Sequence, residues 1–254
     1  MSLATFLPTN LVLEATFSQS VGTANVQFPL VNMAHDFSTK VYRSNESSAS
    51  IIIDLQQIEQ VDFIAIRGNF IDGLGFNTAQ IEGSSTLVFS GTPTPLNISH
   101  KHTLAFVELP AIQSYRYWKL DLTGNTYVEV ANLFIGKKVQ MEDNNVALGF
   151  SYVENSLSTV YKNSYGQRFI DTYGSQKVLQ GDINYCNDLE FNQLNDIQIQ
   201  NGEEIPLWFF LDVKGDMGVD SEYLYAGMFY MKDLVWKQVA PGLFNTNLLL
   251  EECL

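Results

Sequence analysis

Basic residues are scarce in this sequence, and their scarcity argues against one large class of partner. The chain has 14 lysines and arginines against 28 aspartates and glutamates, which gives a formal net charge of −14. Proteins that bind nucleic acid concentrate lysine and arginine in a patch or stripe, and the sequence holds no such run. The same negative field repels anionic membranes and bare phosphates. We therefore expect no nucleic-acid partner.

Cysteines, targeting signals and long apolar runs are also scarce or missing. The two cysteines, Cys186 and Cys253, stand in unrelated contexts that fit neither a disulfide framework nor a zinc site. The opening letters MSLATFLPTN lack the basic region and cleavage site of a secretory signal. No apolar run reaches the ~18 residues that a membrane span needs. We therefore expect no secretion signal and no membrane span.

Motifs for catalysis are missing as well. The sequence contains no nucleophile elbow, phosphate-binding loop, dinucleotide fingerprint or zinc-protease helix. His100 and His102 could bind a metal, but no third ligand is near them in the sequence. Asp216, Asp220 and Glu222 share a loop without the spacing of a calcium loop, so a hairpin turn explains them better. We predict no catalytic residue, no metal and no cofactor, and we rank a glycan-active enzyme last.

What remains is a balance of residues typical of a globular β protein, with 46% hydrophobic and 17% charged residues. Roughly seven or eight short strands in the first half predict a β-sandwich. After Gly136 the sequence turns to Asn, Ser, Tyr and Gly, which indicates an extended connector with short strands. From Lys177 we predict a small α+β unit, with a helix that begins at Asn187 or Asp188 and ends at Gly202. The predicted fold class is mainly β, with a sandwich over 1–137, a connector over 138–176 and an antiparallel sheet over 177–254.

Several of these strands are apolar on both faces. In the runs SIIIDL and VDFIAIRG we assign one face to the sandwich core (Ile51, Ile53, Leu55, Val61 and Phe63). The other face, with Ile52, Ile64 and Ile66, needs cover from loops, from the connector or from a neighbouring subunit. A second unit of about 75 residues rarely buries such strands alone, so a neighbour is favoured there. The candidate subunit-interface residues are Ile64, Ile66, Trp208, Phe210, Tyr225 and Phe229.

The first half resembles the discoidin, or galactose-binding-like, β-sandwich family. The resemblance rests on the segments NMAHD, YRS, SIIIDLQQIEQVDFIAIRGNF, QIEGSS and YRYWKLDLTGNTYVEVANLFIG, over residues 25–137. It departs from the family at Tyr42, where tryptophan is frequent. The resemblance implies a jelly-roll sandwich whose ligand loops lie at one end. Candidate glycan-binding residues in these loops (32–47, 69–77 and 91–102) are Asn32, Tyr42, Asn69 and Asp72.

The whole chain resembles structural tail proteins of tailed bacteriophages. The segments that carry the likeness are LFIGKKVQM, YGQRFIDTYGSQKVLQGDINY and the terminal YAGMFYMKDLVWKQVAPGLFNTNLLLEE. This resemblance implies a non-enzymatic virion component of the tail, adaptor or baseplate. It would be assembled symmetrically in the host cytoplasm from copies of itself and other tail proteins. The alternative is a carbohydrate-binding or host-adhesion module that uses the loops at the sandwich end to bind a surface glycan.

Overall fold

The computed structural model describes residues 2–35, 40–68, 75–99, 103–141, 151–162, 168–213 and 225–253. The described chain is mainly β, and its strand pairs are antiparallel. A sandwich is followed by a second antiparallel sheet that carries an α-helix. The predicted fold class is therefore confirmed.

The described residues form 17 strands, one α-helix and two short 3₁₀ turns. In the first half the strands are β1 (Ser2–Leu7), β2 (Thr16–Val21), β3 (Tyr42–Arg43), β4 (Ser48–Arg67), β5 (Thr78–Ser84), β6 (Thr94–Pro95), β7 (Asn97–Ser99), β8 (Leu104–Thr123), β9 (Glu129–Val130) and β10 (Asn132–Gly136). In the second half they are β11 (Val139–Gln140), β12 (Ser151–Lys162), β13 (Arg168–Cys186), β14 (Leu207–Val213), β15 (Tyr225–Met231), β16 (Lys237–Ala240) and β17 (Leu243–Glu252), with helix α1 (Asp188–Gln200) after β13. Short 3₁₀ turns lie at Leu11–Glu14 and Leu30–Ala34.

Two long strands, β4 and β8, form the frame of the sandwich. Their antiparallel pairing is interrupted twice, after Asp54 and after Val61 of β4. Strands β2, β5, β6, β7 and β10 extend the same sheet. Side chains from both halves of β4, such as Ile53 and Ile66, pack in one buried cluster. The sheet therefore folds over onto itself, and its two halves enclose the sandwich core.

The second interruption exchanges the faces of β4. Val61 packs in the sandwich core, and beyond the interruption Ile64 and Ile66 pack there too, while Phe63 and Ala65 pack in a different cluster. The predicted outer position of Ile64 and Ile66 and the predicted core position of Phe63 were therefore wrong. Strict alternation holds only along a regular strand, and an irregularity in the pairing shifts every later side chain to the other face.

The second sheet includes the N-terminal strand, which the sequence prediction placed in the sandwich. The strand order is β11-β1-β14-β15-β17-β13-β12, with β16 paired to β17. Strand β1 pairs with β14 from Ser2 opposite Val213 to Leu7 opposite Trp208. Its Phe6 packs on the side of helix α1, and its Leu7 packs on the side of the sandwich. A strand that is apolar on both faces is stable only between two packed layers, and the second sheet provides that position for β1.

A layer of aromatic rings joins the second sheet to the outer face of the sandwich. The ring of Phe210 lies 5.1 Å from that of Phe63 and 5.6 Å from that of Phe106, between centroids. Trp208 lies 6.3 Å from Phe134. All five side chains are buried. These apolar faces are therefore covered by other parts of the same chain.

The candidate interface residues lie inside this chain. Ile64, Ile66, Trp208, Phe210 and Phe229 are each at most 2% exposed. They belong to the three hydrophobic clusters of the described residues, so in this structure they offer no surface to a neighbouring subunit. Small units were expected to need an external partner, but here the two units bury each other's faces. The remaining candidate, Tyr225, begins β15 opposite Leu211.

Helix α1 agrees closely with its prediction. Asn187 is the N-cap, and its side chain accepts hydrogen bonds from the backbone N–H groups of Leu189 and Glu190. The Glu190 carboxylate accepts from the Asn187 N–H in return, which completes a capping box. The spacing of Leu194 and Ile197 directs one face of the helix into the core beneath the sheet.

The segment predicted as a connector forms much of a long hairpin. Strand β12 pairs with β13 from Ser151 opposite Gln180 to Lys162 opposite Arg168. Strand β17 pairs with β13 only over the stretch from Val178 to Cys186. Residues 156–162 and 168–175, here named the arm, therefore extend past β17 as a two-stranded ribbon. The polar sequence of the arm lacks regular alternation, which is why a continuous hairpin was not predicted. The proposed domain boundaries at 137 and 177 stay a prediction.

Candidate functional site

One end of the sandwich gathers the loops between its strands. The register places Ser48 at the start of β4 beside Thr123 at the end of β8, and Thr123 beside Thr78 at the start of β5. The Gly124 N–H donates to the Ser47 carbonyl at 2.7 Å, and the Asn77 N–H donates to the Thr123 carbonyl at 2.6 Å. The described loop segments 22–35, 40–47, 75–77 and 124–128 therefore meet at this loop end.

An arginine held between two aromatic rings lies at the loop end. The Arg43 guanidinium lies 4.5 Å from the ring centroid of Tyr127 and 4.9 Å from that of Phe28. Strands β3 and β9 place Arg43 directly opposite Glu129. The Arg43 Nε donates to the Glu129 Oε2 at 2.6 Å, and a guanidinium Nη2 contacts the same oxygen. We name Phe28, Arg43, Tyr127 and Glu129 the Arg43 cluster.

Burial differs sharply between the two charged partners. The Glu129 side chain is fully buried, whereas the Arg43 side chain is 29% exposed. A buried carboxylate needs a close cation, and breaking such a pair on one side costs about 3–5 kcal/mol. The Oε1 of Glu129 has no hydrogen-bond partner among the described residues. The cluster therefore exposes part of the Arg43 guanidinium to solvent beside the rings of Phe28 and Tyr127, while Glu129 holds this guanidinium in place.

Polar side chains form a rim next to the cluster. Thr23 donates its backbone N–H to Glu46 Oε2 at 2.6 Å and its hydroxyl to Glu46 Oε1 at 3.0 Å. Asn25 donates to the amide oxygen of Asn45 at 3.2 Å, and Asn45 donates to the Thr23 hydroxyl at 3.1 Å. The Asn25 N–H donates to the Arg43 carbonyl at 2.8 Å, which ties the rim to the cluster. We name Thr23, Asn25, Asn45 and Glu46 the amide rim.

Backbone contacts hold the cluster in place. The Arg43 N–H donates to the Phe28 carbonyl at 3.1 Å, and the Val128 N–H donates to the Ser44 hydroxyl at 2.9 Å. Gly75 lies under Glu129 with φ +77°, and a Cβ at Gly75 would lie 2.6 Å from the Glu129 carbonyl oxygen. Only glycine tolerates both the positive φ and this approach.

The predicted glycan residues and the observed site differ. Tyr42 is fully buried in the sandwich core, and burial raises its pKa to about 12. Its role as a glycan-binding residue was therefore predicted wrongly, because in the short strand β3 Tyr42 points inward and its neighbour Arg43 points outward. Asn32 lies at the loop end and donates to the Val41 carbonyl at 2.8 Å. Asn69 and Asp72 lie outside the described residues.

The members of the Arg43 cluster were not singled out from the sequence. Two of them, Tyr127 and Glu129, come from the far end of the sandwich sequence, more than 80 residues after Arg43. The alternation around the buried Tyr42 was the one signal that would have marked Arg43 as outward-facing. The predicted 91–99 part of the third loop instead contributes the edge strands β6 and β7.

Two kinds of feature are missing from the described residues: a metal-binding cluster and a membrane-spanning helix. Within the described residues, no group of three or more His, Cys, Asp or Glu side chains is placed to hold a metal ion. His100, His102 and the acidic loop around Asp216 lie outside those residues. No helix in the described part of the chain is both long and apolar enough to cross a bilayer.

The chain is similar in structure to solved proteins, although the sequence comparisons found no match. No family model matches the chain, and no curated protein matches it. A fucose-binding module from Streptococcus pneumoniae has 14% identity and a TM-score of 0.42, over 51% of this chain and 98% of that one. The lectin domain of lectinolysin, complexed with Lewis B antigen, has 17% identity and a TM-score of 0.43, over 51% and 96%. The family 32 carbohydrate-binding module of C. perfringens NanJ, in complex with galactose, has 14% identity and a TM-score of 0.43, over 54% and 99%.

These likenesses extend over about half of this chain. At such identities and scores they establish neither a family nor a ligand for it. None of the three is a phage protein, so the predicted likeness to phage tail proteins gains no support from them.

Proposed function

We propose that this protein binds carbohydrate at the loop end of its sandwich. The observation that carries the proposal is the Arg43 cluster, where a partly exposed guanidinium is fixed between two rings and beside a rim of amide and hydroxyl groups. Sugars offer vicinal hydroxyls, and a planar fork can donate two hydrogen bonds to such a pair. Ligand sites typically combine apolar or aromatic surface with a few fixed polar groups.

The charge pattern also favours a neutral polyol over an anion. Glu129 already neutralises Arg43, and Glu46 adds a negative charge to the amide rim. An anionic ligand would meet this carboxylate as well as the net charge of −14. The cluster supports binding and offers no pair of free carboxylates for hydrolysis, so we infer a binding module that is not an enzyme.

The test compares two arginines on the same sandwich. The 254-residue chain is screened on a glycan array, and the best ligand is titrated into wild type, Arg43→Lys and Arg116→Lys. Arg116 is a matched control because it also pairs with a carboxylate, Asp54, and lies 4.9 Å from the ring of Tyr117. A lysine keeps the charge but loses the fork. Hydrogen bonds from charged groups contribute about 1.5–3 kcal/mol, so Arg43→Lys should weaken binding by roughly 10- to 100-fold.

Arg116→Lys should leave the affinity within about twofold of wild type, since its side chain lies away from the loop end. Tyr127→Ala serves as a second variant that removes a ring but leaves the ion pair intact. Absence of any glycan binding, or an equal loss of glycan affinity in Arg43→Lys and Arg116→Lys, would refute carbohydrate binding by the Arg43 cluster.

We propose a structural role in an assembly as a second function, and the arm favours it. An isolated two-stranded ribbon is marginally stable in water. Among the described residues no third strand pairs with the arm, and a free strand edge is ready to pair with another strand. We infer that the arm adds a strand to a neighbouring copy of this chain. A place in a phage tail, adaptor or baseplate and a virion localisation rest on the sequence resemblance alone.

Light scattering of the purified chain tests this second function. A discrete oligomer is expected for wild type, and a monomer for a variant in which residues 157–173 are replaced by Asn-Gly. A wild-type chain that is monomeric at all concentrations up to about 100 μM, where a weak interface would still associate, would contradict self-assembly through the arm.

A further inference from the structure

The end of the second sheet that packs on the start of helix α1 carries three aromatic rings. The Phe191 ring lies 4.7 Å from that of Trp236 and 4.5 Å from that of Phe244, between centroids. All three are half-buried, so the cluster reaches the surface. Four large apolar side chains of the same segments are 42% to 75% exposed: Tyr185, Leu189, Val235 and Val239. We name these seven residues the aromatic corner. Apolar residues exposed together mark interaction surfaces.

Strand β16 runs along the aromatic corner and has an open edge. It pairs with β17 from Lys237 opposite Asn245 to Ala240 opposite Leu243, and no other strand among the described residues pairs with it. Its first three residues are exposed. An open strand edge offers backbone N–H and C=O groups to an added strand, while neighbouring apolar surface receives the side chains of that strand. The corner provides both features.

Two other strands at the ends of the sheets are less suited to an added strand. Strand β2 pairs only with β4 among the described residues, but its exposed side chains Thr16, Ser18 and Ser20 are polar. Strand β11 follows Lys137 and Lys138, and lysines beside an edge discourage pairing. The edge of β16 is therefore the one that best fits a strand with apolar side chains.

The arm of the same chain cannot reach the aromatic corner. The arm joins the sheet at residue 175, and β13 reaches the corner at Cys186, which lies opposite Phe244. At about 3.3 Å per residue, the strand between residue 175 and Cys186 spans roughly 35 Å. The arm continues β13 away from the corner, and its stretch from 168 to 175 spans only roughly 25 Å. An arm that occupies the corner must therefore come from another copy of the chain.

Charge favours the arm as the occupant of the corner. The chain as a whole has twice as many acidic as basic residues, but the arm has two basic residues, Lys162 and Arg168, against one acidic residue, Asp171. The exposed charged residues of segments 182–191 and 233–245, which build the corner, are three aspartates and one lysine: Asp182, Asp188, Asp233 and Lys237. Opposite charges on two surfaces speed their encounter and help to fix their register.

We propose that the arm of one copy pairs with strand β16 of a second copy and packs on its aromatic corner. This inference rests on the proposed assembly through the arm, and it names the surface that receives the arm. The arm and the corner lie at opposite ends of β13. Each copy therefore donates an arm at one end and receives an arm at the other, so the two partners of one contact use different surfaces.

Mixing two defective variants tests the proposal. The corner variant Val235→Lys/Val239→Lys keeps the arm but places positive charge where the basic arm would bind. The armless variant, with residues 157–173 replaced by Asn-Gly, keeps the corner. In light scattering each should be monomeric alone, and an equimolar mixture should form a 1:1 complex from one intact arm and one intact corner. Leu87→Lys/Val88→Lys is the matched control, because it adds two lysines at sandwich positions that are 62% and 69% exposed, and it should assemble like wild type.

The outcomes separate this inference from the proposed assembly itself. The corner variant should need at least about a tenfold higher concentration than wild type to associate. Assembly of the corner variant at wild-type concentrations, or a mixture that stays monomeric, would overturn the corner as the receiving surface even if wild type assembles through its arm. A monomeric wild type would refute assembly through the arm, and this inference with it. Thermal unfolding of both lysine variants should match wild type, since the substituted positions are exposed.

Discussion

If the second sheet packs on the sandwich through Phe210, removing this side chain should destabilise the protein. This ring is fully buried between Phe63 and Phe106, at centroid distances of 5.1 and 5.6 Å. Truncating a buried phenylalanine to alanine typically costs about 3–5 kcal/mol. For a chain of this size each kcal/mol lowers Tm by about 2–4 °C. Phe210→Ala should therefore lower Tm by roughly 6–20 °C.

Thermal unfolding measures the shift in Tm and urea unfolding measures the loss of free energy. Tryptophan fluorescence can follow both, because Trp208 stacks near Phe210 at a centroid distance of 6.4 Å. Val26→Ala is the control, since Val26 is 95% exposed and should change stability by less than about 0.5 kcal/mol. A double-mutant cycle between Phe63 and Phe210 isolates their contact. Aromatic pairs are worth about 0.5–1.5 kcal/mol beyond their burial. A coupling energy near zero, or a loss below about 1 kcal/mol for Phe210→Ala, would refute the stacking.

Three further predictions concern single groups. Because burial raises the pKa of Tyr42 from 10.0 to about 12, the folded state keeps this proton longer than the unfolded state. Stability should therefore fall by roughly 2–3 kcal/mol as the pH rises from about 10 to about 12, and urea unfolding of Tyr42→Phe should lack that loss. Burial also raises the pKa of Cys186 to about 12, so iodoacetamide at pH 8 should label the thiol only after unfolding, as mass spectrometry of the native protein can check. Asn187→Ala removes the N-cap of α1 and should cost about 1 kcal/mol in urea unfolding, whereas Asn192→Ala at an exposed helix position should not destabilise the protein.

Local signals in the sequence were enough to predict much of the fold. The helix from Asp188 to Gln200 was predictable because its N-cap, the spacing of Leu194 and Ile197, and the terminal glycine all lie within one short segment. The four strands after the helix were predictable from their apolar runs. The mainly β class followed from the same evidence.

Features that depend on distant contacts were not predictable. The faces of Ile64 and Ile66 depend on an irregularity in the pairing with β8, which leaves no mark in the sequence of β4. The place of β1 depends on β14, more than 200 residues away.

The candidate site was missed for the same reason. Arg43 is a candidate binding residue only because of its contacts with Glu129, Phe28 and Tyr127. These residues lie in separate segments of the sequence and come together only in the fold. The aromatic residue chosen from the sequence was Tyr42, because it stands in a predicted loop at the sandwich end and a tyrosine ring can stack on a sugar. A side chain one position away on a strand points to the opposite face, so choosing the correct loop did not identify the correct residue.

Hydrogen–deuterium exchange with the glycan selected on the array tests the central claim most directly. Glycan binding at the loop end should slow exchange in peptides that cover residues 22–28, 42–47 and 124–129, and leave exchange in helix α1 unchanged. The Arg43→Lys variant should lose this protection at the same glycan concentration. Protection elsewhere in the chain, or no change at a saturating glycan concentration, would contradict carbohydrate binding by the Arg43 cluster.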